Sequence, residues 1–373
     1  MVSVGRIHMK ERILLVSSGG LDKSGVPAVL MGIVDGLSDK YIFDILLHTR
    51  NQDYFESRFS SLGGRIFRCP KRDFHFKPLN RIAEVFRPVR LYFFTRKILR
   101  KNSPYKVIHC CNDFDAAGCV AAAGKSIPIR ICHSHKSWKP DSDMGVITRL
   151  YRSRCRRVIL RHATVLVGCS SNSASSTFGT QEKTKIVFSP YDETRFAPSL
   201  PLNNPKSISL LQVGYFAKNK NQLFSVEILK KIRETHHEAS LTLIGDSSGD
   251  YGNQVLRAIE DNNLKDSVTL LPSDADIPAA MEKSSVLLFP SKGEGLGIVL
   301  IEAQAMGLHC FASDAVPGET NRGGVVFLPI TEGPQLWVDA ILSDNNIRMK
   351  EVRDCSCFST KTFIDTMDSL YSV

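Results

Sequence analysis

Pro290-Ser-Lys-Gly-Glu294-Gly-Leu-Gly297-Ile-Val-Leu-Ile-Glu302-Ala-Gln-Ala-Met-Gly307 is the stretch that decides the fold. An apolar run, Val286 to Phe289, leads into Pro290, a glycine-rich loop follows, and a helix is expected from about Ile298 to a stop at Gly307. Strand, glycine loop and helix in that order make an anion site. Backbone N–H groups around Gly295, Leu296 and Gly297, added to the positive end of the helix, can hold a diphosphate without a metal. Glu294 sits in the loop beside that anion and Glu302 about one turn into the helix. One carboxylate can then reach a sugar and the other ribose hydroxyls. The plain alternative is that the glycines make a turn and Glu302 lies on a solvated helix face.

Outward from this stretch, short apolar runs alternate with longer helix-like segments. The first series includes Ile13 to Val16, Phe43 to Leu47, Val107-Ile108, Ile129 to Ile131, Thr164 to Val167 and Ile186 to Phe188. The second includes Ile208 to Val213, Leu241 to Ile244, Val268 to Leu271, Val286 to Phe289, Cys310-Phe311 and Val325 to Phe327. Continuous apolar strands separated by helices imply parallel sheets covered on both faces, hence an α/β protein. The Pro- and Asn-rich run from Phe196 to Pro205 reads as a linker between two Rossmann-like units. The expected boundaries are 1–198, 199–345 and a helical tail, 346–373, whose segment Lys361 to Tyr371 shows no evident chemistry.

A chain of 373 residues, 43% of them hydrophobic, suits two domains with cores of their own. The net charge of +10 is unevenly spread: residues 1–200 hold 33 Lys and Arg against 16 Asp and Glu, a net +17, which leaves −7 for the remainder. The basic half is expected to face an anionic partner, either nucleic acid or a phospholipid surface. The ten cysteines form no CxxC pair, so reduced thiols and a cytosolic compartment are expected. No leader peptide and no run of roughly 18 apolar residues is legible, which predicts a soluble, unexported chain.

Glu294-x7-Glu302, in its strand–loop–helix context, resembles the signature of glycosyltransferase family four. Other segments resemble that family in its order: Ser24-Gly25 in a first-domain glycine loop, Ile129-Arg-Ile-Cys-His133-Ser-His135, Cys169 to Gly179, Tyr191-Asp192 to Phe196, Gln212 to Gln222 and Leu243-Ile-Gly245-Asp246. The His-Ser-His segment is similar to that of capsular and exopolysaccharide enzymes. The resemblance covers roughly residues 13 to 330. It implies the GT-B fold, with two Rossmann-like sheets facing across a cleft, an acceptor-binding first domain and a nucleotide-sugar-binding second one. The implied activity is retaining, metal-independent transfer from a UDP- or GDP-sugar to a growing, lipid-linked capsular, exopolysaccharide or lipopolysaccharide glycan. No cofactor is implied, and the nucleotide-sugar is a substrate.

On this resemblance Glu294 binds the donor sugar and shields the reacting carbon, Glu302 holds the ribose diol, and Gly25, Lys218, Lys220 and the Gly295-Leu296-Gly297 backbone serve the donor. One position departs from the family, which usually places an Arg where this chain has Tyr215. His133 and His135 alternate along a strand end, so only one is expected to enter the cleft and bind a sugar hydroxyl, with His135 favoured. The triplets Asp141-Ser-Asp143 and Asp274-Ala-Asp276 read as loop or helix-cap residues, not metal ligands.

The basic, aromatic segments Arg81 to Lys101 and Arg149 to Arg161 suit anionic lipid head groups, with a solvated basic face as the alternative. A peripheral position on the inner face of a membrane is therefore expected. No nucleic-acid-binding motif is present, which disfavours a non-catalytic nucleic-acid scaffold. A nucleotide-sugar epimerase or a phosphorylase is the other enzymatic alternative. Glu-x7-Glu together with His-Ser-His favours the transferase.

Overall fold

The computed structural model describes residues 10–22, 24–49, 52–69, 83–180, 182–199, 207–344 and 350–372. The chain divides into two compact units, residues 1–189 with 363–373, and residues 190–362. The boundary expected at 198 therefore falls nine residues late. The expected tail is also shared between the units. Residues 190–199 belong to the second unit because Tyr191 pairs with Ser359, and the Thr360 hydroxyl donates to the Tyr191 carbonyl.

The first unit holds β1 (Glu11–Ser17), β2 (Tyr41–Leu47), β3 (Ile66–Arg68), β4 (Val107–Cys111), β5 (Ile129–Ser134), β6 (Val165–Gly168) and β7 (Thr184–Ile186). They pair in parallel in the order β3-β2-β1-β4-β5-β6-β7. Ile13 to Val16 are all wholly buried, as expected of a strand covered on both faces. One face packs on α1 (Gly25–Leu37) and on the last helix, which contributes Phe363, Met367, Leu370 and Tyr371 to the core. The other face packs on α3 (Arg87–Asn102), α4 (Ala116–Ala123) and α5 (Val146–His162), with the short α2 (Glu56–Ser61) and α6 (Ser171–Phe178) completing the unit. Gly118 on α4 has a structural reason to be glycine, since a Cβ there would lie 2.0 Å from the Pro88 carbonyl oxygen.

The second unit holds β8 (Ser209–Val213), β9 (Ser240–Ile244), β10 (Val268–Leu271), β11 (Val286–Phe289), β12 (His309–Ser313) and β13 (Val325–Leu328), parallel in the order β10-β9-β8-β11-β12-β13. Its helices are α7 (Gln222–Ile232), α8 (Asp250–Asp261), α9 (Ile277–Lys283), α10 (Ile298–Ala305) and α11 (Pro334–Ser343); α12 (Thr360–Ser372) begins here and runs into the first unit's core. In each sheet the order reverses beside the first strand, at β1/β4 and β8/β11. Doubly wound sheets bind ligands at the carboxyl ends of such strands.

Candidate active site

In the second unit the loops after β8 and β11 meet at the switch point. Lys292 N–H donates to the Asn219 carbonyl at 2.7 Å, which ties one loop to the other. The β8 loop is braced from within: Gln222 donates to the carbonyls of Gly214 and Tyr215, and Gln212 donates to that of Lys220 at 2.7 Å. Gly245 must be glycine, because its φ is +153° and a Cβ would stand 2.2 Å from the Gly214 carbonyl oxygen. The backbones of β8 and β9 approach there without side chains between them.

On this frame the Lys220 ammonium meets the Glu294 carboxylate at 2.6 Å, both side chains about 15% exposed or less. The rings of Phe289 and Tyr215 lie 5.4 and 5.8 Å from the ammonium. Tyr215, the position that departs from the resembled family's usual Arg, is 59% exposed, and Lys218 is exposed too. The glycine loop reaches the helix as expected: Gly297 caps α10 at φ +97°, a left-handed conformation that glycine adopts without strain and that offers no side chain to the first-turn N–H groups. Glu302 is half-buried on α10. Burial pushes its carboxyl up to about 7, opposed by nearby Arg195 and reinforced by Asp192. Asp192 and Arg195 were not singled out as site residues in the sequence, because nothing local says that this connecting loop returns to α10. Below the site, buried Gln304 donates to the carbonyls of Leu300 and Thr320 and accepts from Arg322 N–H, fixing α10 to the loop after β12.

Gly25 opens α1 in the first unit, with nothing among the described residues within 4 Å of where a Cβ would stand. The two histidines correct the expectation of alternation. β5 ends at Ser134, so His135 leaves the pleat, and the rings of His133 and His135 lie 3.9 Å apart at 34°. His109, the middle residue of β4, stacks on His133 at 5.4 Å, and its Nε2 is 3.2 Å from His133 Nδ1. Its Nδ1 is 2.7 Å from the Tyr371 hydroxyl. The last helix thus reaches a buried histidine, a contact that its sequence did not reveal. Burial lowers all three histidines, His109 to about 3, His135 to about 4 and His133 well below the usual value, so each ring is neutral at pH 7. His109, Cys111 and His133 offer atoms within 4.8 Å of one another, close enough for a metal ion, although the histidine pair already satisfies itself as a hydrogen bond. Asp113 follows β4 and is raised to about 6 by burial, with Lys136 opposing.

Neither acidic triplet forms part of these sites. Asp141 is ion-paired to Arg152 and Arg156, and Asp276 caps α9 by accepting from Ala279 N–H at 3.1 Å. Arg152 is itself buried, 4.9 Å from the Trp138 ring, so two of the cations read as lipid-facing are structural. Arg81 lies outside the described residues.

Residues 24–179 match the model of a glycosyl transferase 4-like domain, and residues 192–321 that of glycosyl transferases group 1. The chain is 28% identical to the protein named glycosyltransferase EpsF of Bacillus subtilis, over 89% of this chain and 87% of that one. It is 36% identical to the capsular polysaccharide biosynthesis glycosyltransferase CapH of Staphylococcus aureus, over 26% of this chain and 27% of that one. The solved structure of Anabaena Alr3699/HepE in complex with UDP-glucose superposes with a TM-score of 0.73 at 16% identity, covering 97% of this chain and all of that one, a likeness of fold. These matches set aside the epimerase, phosphorylase and nucleic-acid scaffold alternatives. With both domain models matched in chain order on two parallel Rossmann-like units, the chain belongs to the glycosyltransferases of GT-B fold.

Proposed function

We propose that the chain is a retaining, metal-independent hexosyltransferase of family four that moves a sugar from a UDP- or GDP-sugar to a lipid-linked glycan at a membrane surface. The observation that carries the reading is the Lys220–Glu294 pair beside the glycine-capped start of α10. In the reaction the bond between the anomeric carbon and the diphosphate oxygen breaks, and the diphosphate leaves with growing negative charge. Lys220 and the α10 N-terminus stabilise that charge in place of a divalent cation. The acceptor hydroxyl attacks from the leaving-group side, and a phosphate oxygen takes its proton, so configuration is kept. Glu294 binds hydroxyls of the donor sugar and Glu302 the ribose diol. Lys218 and the backbone at Gly295 and Leu296 complete the donor contacts of the second unit.

The lipid-linked acceptor rests on the first unit. Along α3 and α5, with small α4 residues as the floor, runs a groove of about 650 Å³ lined by Phe86, Val89, Phe93, Ala121, Ile147 and Leu150. Phe93 and Ile147 are 66% and 73% exposed, and Arg96, Lys97, Arg154 and Arg157 beside them are exposed cations. Apolar surface bordered by cations suits an anionic lipid interface. An Escherichia coli relative, 29% identical over 35% of this chain and 37% of its own length, is named as a galactosyltransferase acting on an N-acetylglucosaminyl diphosphoundecaprenol.

A screen of UDP-, GDP-, ADP- and CMP-sugars for slow donor hydrolysis in EDTA tests the reading. One or more donors should be hydrolysed at an unchanged rate with and without chelator. Turnover that vanishes in EDTA and returns with Mg²⁺ or Mn²⁺ sinks metal independence.

A further inference from the structure

The polarity of the buried hydrogen-bond chain on the first unit follows from counting its protons. Tyr371 is wholly buried, and its hydroxyl lies 2.7 Å from His109 Nδ1, the hydrogen bond the structure gives it. A phenol always carries a proton to donate, and an undonated O–H in the core would cost its full desolvation. Tyr371 is therefore the donor and His109 Nδ1 the acceptor. A neutral imidazole has one N–H, which on His109 must then be at Nε2. Cys111 Sγ stands 3.5 Å from that same nitrogen, and His133 Nδ1 stands 3.2 Å from it. Nε2–H of His109 donates to His133 Nδ1, which leaves the single proton of His133 on its own Nε2. That nitrogen is buried and has no hydrogen-bond partner among the described residues. The reverse polarity would strand the Tyr371 proton.

We propose that Tyr371 is a positioning residue: acting through His109, it fixes His133 as an Nε2–H donor for a substrate oxygen. The role of the donor rests on the transferase reading above, whereas the tautomer does not. His135 lies over His133 and has an Nε2 that is likewise unpartnered among the described residues, so a substrate hydroxyl reaching this end of β5 meets two ring nitrogens. The chemical class implied is a ligand with acceptor oxygens, as a sugar has. The C-terminal helix thereby takes part in function through one hydroxyl, eleven residues after its start at Thr360.

Long-range ¹H–¹⁵N correlation spectra of the histidine side chains test this on the intact chain, with His133 assigned by comparison with His133→Gln. The wild type should show His109 and His133 both protonated at Nε2. Tyr371→Phe, which keeps the ring but removes the proton, should return a mixture of tautomers at both. Donor hydrolysis, measured with whichever nucleotide-sugar the screen identifies, should fall about tenfold in kcat while KM changes little. His133 protonated at Nδ1 in the wild type, or a tightly held stoichiometric metal ion in the purified protein, overturns the proposal. Tautomers that respond while kcat stays at the wild-type value overturn the positioning role. If no nucleotide-sugar is hydrolysed, the transferase reading fails, and the tautomer result still stands or falls on the wild-type spectrum alone.

Discussion

Glu302 is the residue whose chemistry is most readable from solution. Burial holds its carboxyl up to about 7, against an ordinary value near 4.5, with Arg195 opposing and Asp192 adding. A raised carboxyl favours the protonated folded form. Its contribution to stability is present below the ordinary value and is lost as pH rises from about 4.5 through about 7. Nucleotide binding should have the opposite slope if the ionised group holds the ribose. Calorimetry between pH 6 and 8 should show affinity rising with pH in the wild type and flat in Glu302→Gln. Removing the carboxylate should cost about 1.5 to 3 kcal/mol of binding, the worth of a charge-assisted hydrogen bond. Identical affinity and slope in a folded Glu302→Gln variant would remove Glu302 from the nucleotide site. Asp44 is the contrasting case. Burial pushes it up, but hydrogen bonds from Arg65, Tyr105 and Arg12 outweigh that and hold it below the usual carboxylate range. Its stability contribution is complete above the ordinary value and is lost as pH falls through the lowered one. Asp44→Ala should cost about 3 kcal/mol in denaturant unfolding and make acid unfolding of the first unit less steep.

Among the elements, the last helix was the least legible. Its sequence is polar enough to read as an appendage, yet Phe363, Met367, Leu370 and Tyr371 form one buried face. Lys40 and the Tyr41 hydroxyl bind Asp368 at 2.6 and 2.9 Å, and Ile364 packs where Gly36 leaves room. Met367→Ala should therefore destabilise by about 2 to 4 kcal/mol, the range for a large-to-small change in a core. A shift under half a kcal/mol in chemical denaturation would mean that the helix is dispensable to the first unit. The strand–loop–helix around α10 behaved oppositely. Its apolar run, its glycines and its stop are local signals, and the structure begins the helix at Ile298, with Gly307 in the left-handed region just past its end. The histidine pair falls between these cases: period two holds for β5 only as far as Ser134, and the strand's end is set by its neighbours, not by its own residues.

For the whole molecule, the uneven charge becomes a surface. Among the described residues no helix is long and apolar enough to cross a membrane. Arg152 and Arg156 are committed to Asp141 and to aromatic rings, which leaves Arg149, Arg154, Arg157 and Arg161 as the exposed arginines of α5, the last three of them to test. Each contributes about 1 kcal/mol near an anionic surface, so reversing all three to Glu should release the protein from anionic vesicles in flotation assays. Phe93→Glu with Ile147→Glu should also weaken the residual, salt-resistant part, with donor hydrolysis intact. Parental binding to anionic and neutral vesicles by both folded variants would show a merely solvated face.

The sequence by itself determined what depends on near neighbours along the chain. Strand and helix periodicity gave two parallel Rossmann-like units, and the local signals around Glu294, Gly297 and Glu302 gave the glycine loop that leads into α10. The concentration of Lys and Arg before residue 200 was equally plain. What it could not determine were meetings between residues far apart in the chain. Lys220 finds Glu294 across 74 positions, Tyr371 finds His109 across 262, and Arg195 comes within electrostatic reach of Glu302. Each meeting depends on which strands lie beside the switch point and which helix returns to cover a sheet. Those are consequences of how whole faces bury against one another, and burial of a face is a property of no single segment.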